Sequence, residues 1–330
     1  MTAARTRIAA TATTLAAVLA TALAAIPAGA HAEEFSCATA RLVVPWKPGG
    51  GTDVVMRAYA NAINAYGAAP LLQVANIPGE RGNKGTMEAA ASKPDGCTLL
   101  AIYQSAIAGY LSGRIELTWN AFEPVSLLTD SPEIVGAAAD APWATLAEML
   151  EAARASPNTI RTAVTLGSPD HFMWLLIEDK TGARFEFVPF DGTRGRMTAL
   201  LDGDVQLGAL NTVAGKKYLA GGALKAYGIA AERRSDQLPD LPTLKEQGLD
   251  LVYSIRRGVV VPKGTPKEKV EHWAALFKKA SEDPDLLKRM QARGTDITWV
   301  GPAEYAEWFA RTYAEHEKVA VKSGMFKKQE

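Results

Sequence analysis

The sequence has few of the residues from which catalytic centres and metal sites are built. Its 330 residues include two cysteines and four histidines, with no H-E-x-x-H or paired C-x-x-C motif. It also lacks the G-x-S-x-G turn that presents a nucleophilic serine in many hydrolases. The histidines after residue 32 are widely separated along the chain: His171, His272 and His316. We therefore expect no catalytic residue, no metal site and no cofactor.

An excess of charge of either sign is also absent. The chain has 36 Lys and Arg residues against 36 Asp and Glu residues, and 48% of its residues are hydrophobic. This balance excludes wholesale disorder and a polybasic nucleic-acid-binding surface, so no nucleic-acid partner is predicted. A chain of this length predicts two globular domains.

Long apolar runs are confined to the amino terminus. Two arginines precede an uncharged run from Ile8 to Ile26, and the small-x-small pattern Ala30-His31-Ala32 follows. This order is typical of a cleaved signal peptide, so residues 1–32 are predicted to be removed and the rest exported. The alternative is a membrane-spanning anchor, which the immediate cleavage pattern disfavours. Loss of the two arginines changes the formal net charge from 0 to −2.

The two cysteines, Cys37 and Cys97, both lie after the predicted cleavage site. Export through an oxidising compartment favours a disulfide between them. Such a bond would tie the mature amino terminus to the strand predicted to start at Cys97. The alternatives are a reactive thiol and a lipid-modified cysteine. The residues before Cys37 lack the aliphatic and small run that lipid attachment requires.

Three glycine-rich loops each follow a predicted strand and precede a predicted helix. We call residues 48–53, 76–85 and 166–170 the first, second and third loops. The strands before them are predicted at residues 41–46, 71–75 and 160–165, and the helices after them at 54–66, 86–92 and 171–180. This alternation restarts after about residue 134 and predicts an α/β fold of parallel sheets with helices on their faces. The chain after residue 262 is mostly helical and is expected to pack on the first unit.

Loops of this kind are suited to binding anions. The first N–H groups of a helix lack intrahelical acceptors, and the helix dipole is positive at that end. Glycine lets a ligand approach the backbone closely. The alternative is that these are ordinary strand-to-helix turns. No nucleotide-binding fingerprint is present, since Lys84 is followed by glycine in the second loop. The expected anion is therefore a carboxylate.

Several side chains in and near the loops have two interpretations each. Asp53 is either a helix cap or a contact to a ligand, and Ser168 is a helix cap, a hydroxyl donor or both. A neutral His171 would donate to a carboxylate, or it is bonded locally or to solvent. One of five basic residues is expected to touch the ligand: Lys47, Arg81, Lys84, Arg256 and Arg257.

Several segments match the motifs of one known family in order and spacing. They are Val44–Arg57, Asn76–Gly85, Pro94–Leu99, Gly167–His171, Val188–Gly192, Leu241–Gly248 and Val261–Pro266. The first is similar to V-P-[FY]-x-x-G-G-x-x-D-x-x-x-R and the second to N-x-P-G-A-G-G-x-x-G. Together they resemble the extracytoplasmic receptors of tripartite tricarboxylate transporters, the Bug family of periplasmic solute-binding proteins. The likeness covers residues 38–324.

The resemblance implies a two-lobed periplasmic-binding-protein fold, type II-like, with a mostly parallel sheet in each lobe and a ligand cleft between them. Residues 33–134 and 253–330 would form one lobe and residues 135–252 the other. The ligand-binding residues carried over are Gly50, Gly51, Thr52, Asp53, Gly79, Arg81, Gly82, Gly167, Ser168, His171 and Asp191. Two departures from the family pattern leave the substrate open, namely Glu80-Arg81 in place of Ala-Gly and Asp191 before Gly192.

The resemblance further implies a periplasmic receptor that captures a small carboxylate and delivers it to membrane transporter subunits. Members are usually monomers, so a monomer is expected. Closure about hinges near residues 132–136 and 250–258 would accompany binding. One alternative is a receptor that presents the ligand to a membrane signalling kinase. Another is a hydrolase that uses His171 with Ser168 and Asp170, although three residues in one local loop are a poor basis for a triad.

Overall fold

The structure, a computed structural model, describes residues 35–190 and 192–325. The predicted signal peptide and Asp191 lie outside these residues. The described chain contains two β-sheets flanked by helices. The first sheet has the strand order β11-β4-β10-β3-β1-β2. Its strands are β1 (Thr39–Val44), β2 (Leu71–Asn76), β3 (Thr98–Ile102), β4 (Phe122–Pro132), β10 (Ser254–Pro262) and β11 (Asp296–Val300).

The second sheet is built from the middle of the chain and has the order β7-β6-β8-β5-β9. Its strands are β5 (Ile134–Ala138), β6 (Arg161–Val164), β7 (Glu186–Pro189), β8 (Leu207–Leu210) and β9 (Leu224–Ile229). The helices are α1 (Gly51–Ala65), α2 (Asn83–Ala90), α3 (Ser105–Leu111), α4 (Leu146–Ala155), α5 (Pro169–Thr181), α6 (Gly192–Leu201), α7 (Thr212–Leu219), α8 (Lys267–Ser281), α9 (Pro284–Gln291) and α10 (Pro302–Lys322).

Both sheets are mixed, which differs from the expected mostly parallel sheets. In the first sheet β1 pairs in parallel with β2 and β3, whereas β10 and β11 pair antiparallel with their neighbours. In the second sheet β6 is parallel to β7 and β8, and β5 is antiparallel to β8 and β9. Every antiparallel pair includes β4, β5 or β10, which are the strands next to the crossings between the sheets.

Amphipathic helices account for the packing of the first sheet. In α1 the buried side chains recur at helical spacing, as with Val55, Tyr59 and Ile63. These residues share one apolar cluster with Leu42 of β1 and Trp273 of α8. The carboxyl-terminal helices α8 and α10 contact β4, so they pack on the first sheet as expected. Helix α10 also contacts α5, which connects β6 and β7 of the second sheet.

The chain passes between the two sheets in two adjacent segments. Glu133 lies between β4 and β5, and residues 230–253 connect β9 to β10. The Glu133 N–H donates to the Tyr253 oxygen at 3.1 Å, and the Ala230 N–H donates to the Glu133 oxygen at 2.8 Å. The two crossing segments are therefore hydrogen-bonded to each other at the place where we expect the hinge. The division into lobes at these residues stays a prediction.

Cys37 and Cys97 form the predicted disulfide, with their Cα atoms 6.1 Å apart. The bond joins the residues that precede β1 and β3. It therefore lies at the amino-terminal edge of these parallel strands, opposite the edge that carries the first and second loops.

Candidate functional site

The first loop ends at the start of α1, with Gly50 in the N-cap position. Asp53, in the first turn, is 2% exposed and accepts from the Gly49 N–H at 2.9 Å and from the side chains of Arg57 and Asn76 at 3.0 and 2.8 Å. Burial acts to raise its pKa, but these hydrogen bonds and the Arg57 charge hold the pKa below its usual range. Asp53 therefore shapes the loop as an ionised acceptor and leaves the exposed backbone at Gly50 and Gly51 open.

The second loop has an unusual backbone. Four consecutive residues have positive φ angles: Gly79 at 136°, Glu80 at 51°, Arg81 at 57° and Gly82 at 97°. Glycine is required at Gly82, because a Cβ there would lie 3.2 Å from the Trp46 ring in addition to needing a left-handed backbone. The Gly82 N–H donates to the Gly79 oxygen at 2.9 Å, so this predicted ligand donor is already engaged.

In the third loop, the candidate ligand donor is the imidazole that follows it and not the backbone N–H groups of the loop. The N–H groups of Gly167 and Ser168 donate to His171 Nδ1 at 3.2 Å and to the Thr165 oxygen at 2.9 Å, and the ligand-binding role of these two residues stays a prediction. Burial lowers the pKa of His171 to about 4, so the ring is neutral at physiological pH. Since Nδ1 accepts, the proton is assigned to Nε2, which becomes the available donor.

The Ser168, Asp170 and His171 side chains do not form a nucleophile-base arrangement. The Ser168 hydroxyl donates to Asp170 Oδ1, although Ser168 occupies the N-cap position of α5 without capping it through its side chain. Asp170 Oδ2 accepts from the Thr165 N–H at 3.0 Å and lies 2.8 Å from Arg196 Nη1. His171 bonds neither residue through Nδ1. A hydrolase needs the base on the hydroxyl, which this geometry does not provide.

Arg114, which follows α3, connects the second and third loops. Its backbone oxygen accepts from Asn83 Nδ2 at 3.2 Å. Its guanidinium donates to the Leu166 oxygen at 3.3 Å and to the Gly167 oxygen at 2.7 Å. Burial and then the nearby charge of Arg81 lower the pKa of Arg114. Sequence reasoning missed this residue, since no motif includes it.

Aromatic rings link the first and second loops. Trp46 stacks on Tyr103, which follows β3, with ring centroids 4.6 Å apart and an interplanar angle of 28°. The same indole lies against Gly82. Burial raises the pKa of Tyr103, while the charges of Arg257 and Arg196 lower it and that of Asp170 raises it. The phenol is thus within the electrostatic influence of charged groups on β10, α5 and α6.

Of the five basic residues, Arg257 has the position most suited to a ligand. Its Nε donates to Thr52 Oγ1 at 3.3 Å, and its Nη1 donates to Ser131 Oγ at 3.1 Å. Arg256, on the neighbouring position of β10, instead pairs with Asp130 at 3.0 Å. Lys47, Arg81 and Lys84 are exposed. Asp191 lies outside the described residues, so its predicted role is not addressed by the geometry.

Neither a membrane-spanning helix nor a cluster of metal ligands is present in the part of the chain that the structure describes. No helix in residues 35–190 and 192–325 has the length and hydropathy needed to cross a bilayer. In the same part of the chain, no group of three or more His, Cys, Asp or Glu residues is arranged to hold a metal ion.

The family described as "Tripartite tricarboxylate transporter family receptor" matches residues 55–325. The chain is a member of this receptor family. A relative named "UPF0065 protein in gbd 5'region", from Cupriavidus necator, is 31% identical over 316 residues, 92% of this chain and 93% of that protein. Protein BugT of Bordetella pertussis is 31% identical over 275 residues, 82% of this chain and 84% of BugT. The resemblance inferred from the motifs is confirmed.

Several solved structures share the fold of this chain. The TctC solute-binding protein from Polaromonas is 29% identical with a TM-score of 0.75, covering 86% of this chain and 98% of that one. MatC from Rhodopseudomonas palustris, with bound malate, is 27% identical with a TM-score of 0.72, covering 86% of this chain and 98% of MatC. Another R. palustris protein, with adipate, is 26% identical with a TM-score of 0.74, covering 87% of this chain and 97% of that one. The predicted two-lobed solute-binding fold is confirmed.

Proposed function

We propose that the protein is a periplasmic receptor that binds a small carboxylate between its two lobes and delivers it to membrane transporter subunits. In this proposal residues 1–32 are the export signal, residues 33–134 and 253–330 form one lobe, and residues 135–252 form the other. Membership of the tripartite tricarboxylate transporter receptor family supports the transport role. The membership of the strands in two separate sheets supports the lobes.

One arrangement carries the carboxylate assignment. The exposed start of α1 at Gly50 and Gly51 and the neutral His171 imidazole are both anion-donor groups. The start of α1 follows a strand of the first sheet, and His171 follows a strand of the second. Their loops are connected by three contacts, which are Trp46 with Gly82, Asn83 with Arg114, and Arg114 with Gly167. Malate and adipate in two related solved structures are ligands of the same chemical class.

We propose that no covalent chemistry occurs at the site and that the receptor acts as a monomer. The bonding of Ser168 to Asp170, and of Gly167 to His171, favours a binding role for this loop over catalysis. Binding would stabilise a closed arrangement of the lobes in proportion to the difference in affinity between closed and open forms.

A thermal-shift screen of residues 33–330 against small carboxylates tests this proposal. A ligand at 100 times its Kd adds about 2.7 kcal/mol to the free energy of unfolding, which raises the Tm by a few degrees. His171→Phe removes the Nε2–H donor and should weaken binding roughly 10-fold, whereas His171→Gln keeps a donor and should weaken it less. A folded protein that shifts with no carboxylate would overturn the proposal.

A further inference from the structure

One buried carboxylate closes the third loop. Asp170, in the first turn of α5, is 4% exposed. Its Oδ2 atom accepts from the Thr165 N–H at 3.0 Å, and its Oδ1 atom accepts from the Ser168 hydroxyl. Thr165 immediately precedes the loop, and Ser168 follows the turn at Gly167. A single side chain therefore holds the backbone on both sides of Gly167.

A buried cation from another helix balances this carboxylate. Arg196 of α6 is 7% exposed, and its Nη1 atom lies 2.8 Å from Asp170 Oδ2 as an ion pair. Its Nη2 atom donates to the neutral Thr193 hydroxyl at 3.3 Å. A carboxylate buried to this extent requires a partner of opposite charge. Arg196 therefore keeps Asp170 in the loop as a charged acceptor.

The turn that Asp170 holds carries the hydrogen bond that orients His171. Gly167 has a φ angle of +68°, and its N–H donates to His171 Nδ1 at 3.2 Å. The direction of this N–H follows from the conformation of the loop. A change in the loop that rotates the Gly167 peptide would therefore take the donor away from Nδ1.

Packing alone does not fix the orientation of the imidazole. Phe187 of β7 contacts the ring edge to face, with centroids 4.8 Å apart and an interplanar angle of 86°. A half-turn of the ring about its Cβ–Cγ bond puts a carbon in place of Nδ1 and keeps the ring plane, so this contact admits both orientations. The Gly167 N–H distinguishes them, because only a ring nitrogen accepts its hydrogen bond.

We propose that Asp170 and Arg196 are positioning residues, which hold the third loop so that His171 presents its Nε2–H group to the ligand. Neither residue contacts the ligand in this assignment. The inference rests on the proposed function, in which His171 is a ligand donor. It extends that function to an ion pair between α5 and α6, one member of which lies outside all three loops.

The first test uses NMR and needs no ligand. Residues 33–330 contain three histidines, and His171→Phe identifies the signals of His171. At pH 8 the wild-type His171 Nδ1 should carry no proton, and the Gly167 amide should exchange slowly with solvent at pH 6.5. His316 is an internal reference with the opposite tautomer, because its Nδ1 faces the Thr312 carbonyl oxygen at 2.8 Å.

Asp170→Asn keeps the size of the side chain but removes its charge and one acceptor oxygen. His171 Nδ1 should then become partly protonated, and the Gly167 amide should exchange at least about 10-fold faster. Arg196→Gln should have the same effect through Asp170. Arg196→Lys keeps the charge and should largely retain the wild-type signals.

Two further variants keep the test decisive if Asp170→Asn does not fold. Ser168→Ala removes one of the hydrogen bonds to Asp170 at a partly exposed position, so a smaller change in the same direction is expected. Asp179→Asn, at the opposite end of α5, is the matched control because its partners are two lysines of α10. It should leave the signals of His171 unchanged.

Affinity measurements separate positioning from a general loss of structure. Succinate, glutarate and adipate are titrated by calorimetry at pH 7. For each of them that binds, Asp170→Asn should weaken binding by up to about 10-fold, as His171→Phe does. In the His171→Phe background, Asp170→Asn should weaken it by less than about 2-fold more, because its effect acts through the imidazole.

The outcomes also separate this inference from the proposed function. Protonation of His171 Nδ1 together with faster Gly167 exchange in Asp170→Asn or Ser168→Ala, and their recovery in Arg196→Lys, supports the positioning role. A protonated Nδ1 in the wild type, either signal unchanged in every folded variant, or losses of affinity that add in the His171→Phe background overturn it while the receptor role stands. Failure of every carboxylate in the thermal-shift screen overturns the receptor role, and the NMR result still decides whether the ion pair orients the ring.

Discussion

The guanidinium of Arg114 donates a hydrogen bond of 2.7 Å to the backbone oxygen of Gly167. Arg114 precedes β4 of the first sheet and Gly167 follows β6 of the second. The contact therefore joins the two sheets at the candidate ligand site, and its loss should disfavour the closed arrangement.

Arg114→Ala is expected to reduce ligand affinity about 10-fold, since a charged hydrogen bond between the lobes is removed. Gly167→Ala should act similarly, because the added Cβ would lie 3.0 Å from Arg114 Nη2 at a residue with φ of +68°. Calorimetry measures both. Arg154→Ala, at an exposed helix position, is the control. Unchanged affinity in both site variants would show that this contact does not stabilise closure.

Glu133 should make stability depend on pH. Its pKa is raised from the usual 4.5 to about 8 in the folded protein. Between these values the folded state keeps a proton that the unfolded state has released, so stability falls as the pH rises through this range. Glu133→Gln should remove that component, so its Tm should exceed that of the wild type by at least about 3 °C at pH 8.

Thermal unfolding at pH 5, 6.5 and 8 checks this prediction. Arg196, Asp170 and Arg257 face Glu133 and remain in both proteins, so the difference between the two curves isolates the carboxyl. Glu151→Gln, at an exposed residue of α4, serves as the control. Parallel curves for wild type and Glu133→Gln would contradict the assigned protonation.

Arg81→Gly should not destabilise the protein, unlike the same change in a helix. Arg81 has φ of 57°, where a side chain costs about 1–2 kcal/mol, and relief of this strain offsets the entropy lost by glycine. Arg311→Gly, in the middle of α10, should cost about 1 kcal/mol. Urea unfolding measures both variants. A larger loss of stability in Arg81→Gly than in Arg311→Gly would refute the strain argument.

The disulfide should contribute substantially to stability. Cys37 and Cys97 are 60 positions apart in the sequence, which predicts about 4 kcal/mol in the chain-entropy treatment. Replacement of both by serine should therefore lower the free energy of unfolding by a few kcal/mol, as measured with guanidinium. Reductant should destabilise the wild type to the same extent and leave the double variant unchanged. Equal stability of the two oxidised proteins would contradict this expectation.

Local patterns along the chain predict many of the elements but not all of them. The helices after the three loops and the strands before them lie within a few residues of their predicted bounds. Strand β4, which lies between β10 and β11 in the first sheet, was not predicted. Its sequence contains two prolines and two acidic residues, which weaken a strand pattern, and its pairing with β10 stabilises it instead.

Local sequence patterns likewise predict only part of the candidate site. The loops are local motifs, so their positions follow from the sequence. Arg114 and Arg196 meet the third loop only through the fold, because they come from separate segments. The sequence also predicts Gly82 and Gly167 as ligand-binding residues, and their N–H groups are bonded to Gly79 and His171 in the folded protein. Which donors remain free depends on the folded backbone and not on residue type.

The position of the disulfide determines how the protein can be attached to a surface. Phe35 packs on Trp273 and His272, next to the disulfide at the start of β1, whereas the ligand loops follow the ends of β1 and β2. A strand of six residues spans about 20 Å. If a linker placed before Phe35 attaches the protein to a sensor chip, the ligand loops therefore lie on the side away from the chip. This orientation suits the protein to serve as an immobilised reporter of dissolved solutes.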